Sequence, residues 1–434
     1  MRKSTAVAVL FALVVMLALG ALAAGCGEEK VTTTTAAPAP TSETTAAPPA
    51  TEAPPATEAP PTTTPAEPKE LRIGAAVSLT GLFSASEQLV WEGEQIFESW
   101  INTKGGITVD GQQYLIKIIA EDCQSTAEGS STAATKLIDA GCNFQVGPIV
   151  PFTVIASGTV TEPAGVLRVV LYNCHTPDEY GPDTPLTFIA NDVTTDFIQP
   201  DLDYLKANYP DVKKLTVLTP DDGAPPIFMP MVKEMMVDSG FELLNYFEYD
   251  MAAPDFTPYV TQALATKPDA MFFINGWPIF MGNMLKIARQ NGFTGPIFGS
   301  HEDPYDIAEI AGPEASTDFY THNIQMDSPK MTPLIQEILA LGQDMFGKQS
   351  PTYVWGFNSC YCLVQAIEHA QSLDPKVVAE AWENMPSIDT VYGPGVMGGL
   401  KSYGIKHNVS YATPFSMLKD GKVEFIDFLP VELP

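Results

Sequence analysis

From residue 70 onward, short apolar runs alternate with longer segments whose apolar residues return every three or four positions. Leu71-Arg-Ile-Gly-Ala-Ala-Val77 reads as a strand ending at Ser78-Leu-Thr-Gly81. The next segment puts Val90, Phe97, Trp100 and Ile101 on one helical side and stops at Gly105-Gly106. Asp110-Gly111 marks a hairpin-type turn into a strand over 114–120, and Ser125-Thr-Ala-Glu128 has the capping-box pattern of a helix closed by Gly141. A strand at 144–146, a helix over 152–162 and a strand at 167–171 follow. The alternation restarts after Asn191: helix 202–207, strand 215–218 ending at Asp221-Asp222-Gly223, helix 231–237, strand 242–247, helix 256–265, strand 270–274, helix 281–289 and strand 296–298. Asp303-Pro304 reads as a helix start, three helices fall near 331–345, 352–370 and 375–384, and the tail from Tyr411 reads as strands turning at Asp420-Gly421. Strict alternation implies parallel sheets with helices on both faces, so the fold class is α/β, two doubly wound lobes with a cleft between them.

The first 69 residues follow neither period. Arg2 and Lys3 precede an apolar run from Ala6 to Ala24 that ends at Gly25-Cys26, the layout of a secretory signal peptide over residues 1–25. A cysteine directly after small residues resembles a bacterial lipoprotein signal, which implies cleavage before Cys26, lipidation of Cys26 and a lipid-anchored, extracytoplasmic protein in the periplasm or on the cell surface. Residues 26–69 are dominated by Thr, Ala and Pro, with almost no side chain large enough to offset the entropy of ordering. This disordered linker reads as a stalk; at roughly 3.1 Å per residue in polyproline II it could reach on the order of 100 Å.

A formal charge of −29 argues against nucleic-acid binding through a basic face. No second stretch is long and apolar enough to cross a bilayer. Cys26 set aside, five cysteines remain of the six, an odd set that leaves at least one free thiol or an intermolecular bond. Cys360 and Cys362 fall on different helical faces, whereas Cys123 and Cys174 both follow strand ends and are the expected disulfide. Gly393-Pro-Gly-Val-Met-Gly398 matches a dinucleotide-binding pattern, but lacks the helix and acid that such a site needs, so it reads as a hinge crossing and no cofactor is expected. His301-Glu302-Asp303 without a metal-ligand spacing gives no metal site, and no Gly-x-Ser-x-Gly elbow or nucleophile–base spacing appears. The aromatic stripe Tyr353, Trp355, Phe357 and Tyr361 reads mainly as core, with Trp355 or Phe357 able to reach the crevice.

Ile73-Gly-Ala-Ala-Val-Ser-Leu-Thr-Gly81, Ile101-Asn-Thr-Lys-Gly-Gly-Ile107, Ala120-Glu-Asp122, Val146-Gly-Pro148, Tyr353-Val-Trp355 and Asp389-Thr-Val-Tyr-Gly-Pro394 together carry a resemblance. In that order and behind a lipoprotein-type signal, the chain resembles the type I periplasmic binding proteins of branched-chain amino-acid and amide ABC importers. The resemblance covers nearly all of 70–430. It implies three crossover segments, with lobe 1 over 70–192 and 324–392 and lobe 2 over 193–323 and 393–434. It also implies a monomer that captures a small-molecule solute by hinge closure and delivers it to ABC permease transmembrane subunits.

Ligands of open α/β sheets sit at the carboxyl ends of strands, so the strand-end loops supply the candidate ligand contacts. These are Ser84 and Ser86, Pro151, Phe152 and Thr153, and Tyr172 and Asn173 in lobe 1, and Asp222, Asn275, Trp277, His301 and Glu302 in lobe 2. Trp277 is the foremost, an aromatic with one polar handle. Amino-acid binders of the family tend to hold the carboxylate with a Ser/Thr-rich loop, where this chain has Pro151 with neither hydroxyl nor N–H. That departure widens the ligand to an amino acid, an amide, an aromatic acid or another small polar-apolar solute. Two other classes fit less well: a ligand-binding sensor subunit passing its signal to a membrane receptor, and a cell-surface hydrolase. No catalytic residue is expected.

Overall fold

The computed structural model describes residues 67–171, 176, 178–191 and 193–430. The expected signal peptide, linker and lipidated Cys26 lie outside the described residues, as do Tyr172, Asn173 and Cys174.

Two sheets organise the chain. The first has nine strands, and its parallel centre is built from β1 (Lys69–Val77), β3 (Gln112–Asp122), β4 (Phe144–Val146), β5 (Leu167–Val170) and β6 (Thr187–Ile189). In space they run β6-β5-β4-β1-β3, and β2 (Ile107–Val109) closes the edge antiparallel to β3. The second has seven strands, with β7 (Lys214–Pro220), β8 (Glu242–Tyr249), β9 (Ala270–Phe273), β10 (Ile297–Gly299) and β11 (Phe319–Thr321) ordered β11-β10-β9-β7-β8. Both sheets therefore reverse direction beside their first strand, between β1 and β4 and between β7 and β9. The strands are near-continuous apolar runs because helices cover both faces; β4, β5, β9 and β10 are buried at every position.

The C-terminal region corrects the expected crossovers. β12 (Ile388–Thr390), β13 (Gly393–Gly398) and β14 (Asn408–Ser410) extend the first sheet, with β14 pairing parallel to β6. Only β15 (Thr413–Lys419) and β16 (Lys422–Leu429), turning at Asp420-Gly421, join the second. The third passage between sheets thus lies after Ser410, not near Gly393, and residues 393–410 belong with lobe 1. Gly393-Pro-Gly-Val-Met-Gly398 is a strand rather than a hinge or a phosphate loop.

The helix caps show which local signals act. The helix after β3, α2 (Ala127–Asp139), is capped by Thr126, whose hydroxyl accepts from Gly129 N–H at 3.0 Å. Ser125 of the expected box has φ +54° and bonds elsewhere. Helices α5 (Pro225–Asp238), α7 (Pro278–Gln290), α8 (Pro304–Ala311), α9 (Pro333–Phe346) and α11 (Pro375–Glu383) all open on proline, whose fixed φ and missing N–H suit the first turn.

Lobe 1 is locked by helix α1 (Ser84–Thr103) lying on α10 (Tyr353–Ala370). A Cβ at Gly93 would stand 2.1 Å from the Tyr353 carbonyl oxygen, and one at Gly356 would stand 2.1 Å from that of Val90. Phe97 and Trp100 pack edge-on against Phe357, and Tyr361 lies tilted against Phe357 and edge-on to Trp100, so most of the aromatic stripe is core. Cys123, Cys142, Cys360 and Cys362 are buried free thiols, which removes the expected Cys123–Cys174 disulfide. Gly93→Ala gains about 1 kcal/mol of helix propensity but drives a methyl into backbone, an overlap a packed core relieves only by moving. Chemical denaturation of the variant is expected to show a net loss of about 1–3 kcal/mol.

Candidate functional site

The two switch points face each other. On the lobe 1 side, the loop Ser78–Phe83 leaves β1 and is fixed from below. Asp122 accepts from the N–H groups of Leu79, Thr80 and Gln124 and from the Thr80 hydroxyl. Ser125 accepts from Phe83 N–H at 3.1 Å and donates to Thr80 O at 3.0 Å. Glu87 on α1 accepts from Ser78 N–H, and burial pushes its carboxyl up to about 7. The loop's φ +94° at Gly81 turns the chain so that Phe83 points over the crevice.

On the lobe 2 side, Asn275 has φ +57°, an uncommon conformation for a non-glycine residue. Trp277 follows at the N-cap of α7. Its ring stacks on Phe83 at 4.8 Å between centroids, and both side chains are buried. Phe152 packs 6.3 Å from Phe83. The space between Ile149, Val150 and Pro151 on one side and Pro220, Asp222, Met251, Asn275 and Trp277 on the other is about 10 Å³ of water-accessible volume, near one water molecule.

The adjoining loop Ser300–Asp303 is held by Thr321, whose hydroxyl donates to Ser300 O and Glu302 O, and by Asn323, whose amide donates to His301 O. His301 meets Trp355 of α10 edge-on at 5.0 Å, a second contact between lobes. Asp303 caps α8 through the N–H groups of Tyr305 and Asp306, and the Thr352 side chain bonds to it from the other lobe. Burial pushes the Asp303 carboxyl up to about 7, helped by Asp306, and burial likewise pushes Asp222 to about 6.

Of the expected contacts, Pro151, Asp222, Asn275 and Trp277 line the closed space directly. Phe152 packs beside it, and His301 and Glu302 are buried in the loop at its flank. Ser84 and Ser86 lie half-buried in the first turn of α1, the Ser84 hydroxyl donating to Gly81 O. Thr153 is no ligand contact in this arrangement: its hydroxyl donates to Val150 O, closing the first turn of α3 (Pro151–Ala164). Phe83 and Tyr249 escaped the sequence reading. Phe83 sits in the loop that leaves β1, outside any periodic segment, and Tyr249 ends an edge strand whose length was underestimated. A bulky aromatic two residues past a strand-end glycine was the signal available for Phe83.

The periplasmic binding protein profile matches residues 70–410, most of the chain. The chain belongs to the periplasmic binding protein family. The Leu/Ile/Val-binding protein BraC3 of Rhizobium johnstonii is 32% identical over 126 residues, 29% of this chain, and the chain spans only 32% of that relative's length. Among solved structures, the leucine binding protein LivK of Thermotoga maritima superposes with TM-score 0.69 at 20% identity, over 83% of this chain and 99% of that one. LivJ of Streptococcus pneumoniae in complex with isoleucine gives 0.68 at 18%, over 84% and 100%. A solute binding protein of R. palustris in complex with benzoate gives 0.68 at 16%, over 84% and 98%. At those identities the likeness is one of fold, and it agrees with the paired doubly wound sheets.

Asp303 gives this member of the family a pH signature. Because its folded-state pKa is raised, the contribution is complete below the unfolded value near 4 and is lost as pH rises toward 7, at up to about 1.4 kcal/mol per pH unit. Asn caps helices as well as Asp, so Asp303→Asn is expected to keep the fold and flatten the decline of unfolding free energy between pH 4 and 7. Denaturant melts across that range read the difference.

Proposed function

We propose that this chain is a non-catalytic, extracytoplasmic solute receptor of an ABC importer. It would capture a small molecule between its lobes by hinge closure and present the closed form to the permease. The solute class from sequence is amino acid, amide or aromatic acid, and the anchor is the lipid at Cys26. The observation that carries the reading is the Phe83–Trp277 stack across two facing switch points. An aromatic pair held by loops of different lobes closes over the place where open α/β sheets bind ligands, and it must part to admit one. The chemistry around it is binding chemistry: buried acids, hydroxyls and rings. The family match and the solute-binding proteins of similar fold support the same reading.

Small-angle scattering of the full chain with and without a solute that raises its melting temperature tests it. A solute at 100 times its dissociation constant is expected to stabilise the fold by about 2.7 kcal/mol and to reduce the radius of gyration, and to be recovered unchanged. A solute that stabilises without compaction, or that is turned over, contradicts the proposal. Trp277→Ala is expected to weaken that solute by about 1–3 kcal/mol, or roughly 10–100-fold, by removing the lid ring.

A further inference from the structure

The chain passes between the sheets three times, and one imidazole gathers the lobe 2 ends of all three passages. The first passage leads from β6 into helix α4 (Thr194–Asn208), the second leaves the end of β11, and the third runs from β14 into β15. His322, the residue after β11, meets the Asp201 carboxyl on α4 through Nε2 at 2.9 Å. Through Nδ1 it meets the Thr413 hydroxyl, at the start of β15, at 3.0 Å. All three side chains are fully buried. Phe197 of α4 and Phe415 of β15 flank the ring, 5.6 and 5.1 Å away between centroids.

A buried acid and a buried imidazole cost desolvation, and apolar side chains of the same volume would hold these segments together at least as firmly. What the polar trio adds is direction. A hydrogen bond fixes the angle and depth of each segment against the ring, where apolar contact alone lets segments slide. The neighbouring residue repeats the tie: Asn323 O accepts from the Ser416 hydroxyl, and the Asn323 amide donates to His301 O. From lobe 1, Asn358 of α10 donates to Ala190 O, and the Asn191 amide donates to Leu171 O and to the Ser359 hydroxyl. The first passage is therefore tied at both of its ends. The ring also connects to the crevice, since Phe197 meets His301 edge-on at 5.8 Å and His301 meets Trp355 of lobe 1.

We infer that Asp201, His322 and Thr413 form a pin that binds the lobe 2 roots of the three passages into one block, and that His322 is a positioning residue for solute capture. With the roots locked together, the lobes swing about one axis. The facing loops then meet in one register, Phe83 on Trp277 and His301 on Trp355. With one arm of the pin cut, the passages flex separately and the lobes close in several orientations. This rests on the solute-capture reading and adds to it a part that touches no solute.

The test reads the distance between lobes by double electron–electron resonance on the full chain, with no solute added. Glu128→Cys, exposed on α2 of lobe 1, and Ala252→Cys, exposed after β8 of lobe 2, carry the spin labels. Cys26→Ser and Cys174→Ser leave only the four buried native thiols beside them. Thr413→Val keeps the shape of the side chain and removes its hydroxyl, whereas Thr413→Ser keeps the hydroxyl and removes a methyl. The pin requires the Val variant to widen the distance distribution roughly twofold and the Ser variant to keep the parental width. A packing role requires the opposite order, since Ser opens a small void and Val opens none. Asp201→Leu cuts the arm to α4 and is expected to widen the distribution likewise, serving where the Val variant folds poorly. Parental width in the folded arm-cut variants, or a Ser variant wider than the Val variant, overturns the inference and leaves the capture reading standing. Because the readout needs no solute, a failure of capture in the scattering comparison shows separately.

Discussion

Two open α/β sheets have no interaction of their own that holds their carboxyl ends together. Strand hydrogen bonds are satisfied within each sheet, and the helices bury their apolar faces against their own lobe. Closure has to come from the loops, and Phe83 lying on Trp277 is one such contact, beside His301 against Trp355. Each ring is delivered by a loop whose shape is fixed from within its lobe: Asp122 and Ser125 beneath one, the left-handed Asn275 and the proline-started α7 beneath the other. The rigidity of these supports turns a soft aromatic contact into a position-specific one.

Around that contact, several carboxylic acids are held out of water. Glu94, whose oxygens have no partner among the described residues, is pushed well above the usual carboxylate range by burial and then by Glu87. Asp222 and Asp303 follow the same logic on the other lobe. Acids kept in or near their neutral form lose the self-repulsion that a chain of net charge −29 would otherwise concentrate at its centre. The external surface carries the ionised acids, where water screens them.

Most of this was legible from residue order, and the failures have a common cause. Long elements such as α1 and α10 announce themselves because their apolar period runs for several turns. β6, β11, β12 and β14 have three residues each, too few to display any period, and were missed, whereas the equally short β4 and β10 were read from their place in the alternation with helices. Missing them misplaced residues 393–410, since β14 reveals its lobe only by pairing with β6. Proline starts shifted helix boundaries: apolar periodicity begins at Met231 and Met281, but the backbone turns helical at Pro225 and Pro278. The strand-end rule picked out Pro151, Asp222, Asn275 and Trp277, which line one small space between the lobes, because it depends only on topology. It overstated Thr153, since which way a hydroxyl turns is decided by the nearest carbonyl, Val150 O, and not by the pattern of the sequence.

The pairing of β14 with β6 joins Asn408 to Ile189 across more than half the folded chain. The first sheet therefore stays unfinished, with the edge of β6 bare, until residues 408–410 have been made, so lobe 1 is completed only after most of the second sheet's strands already exist.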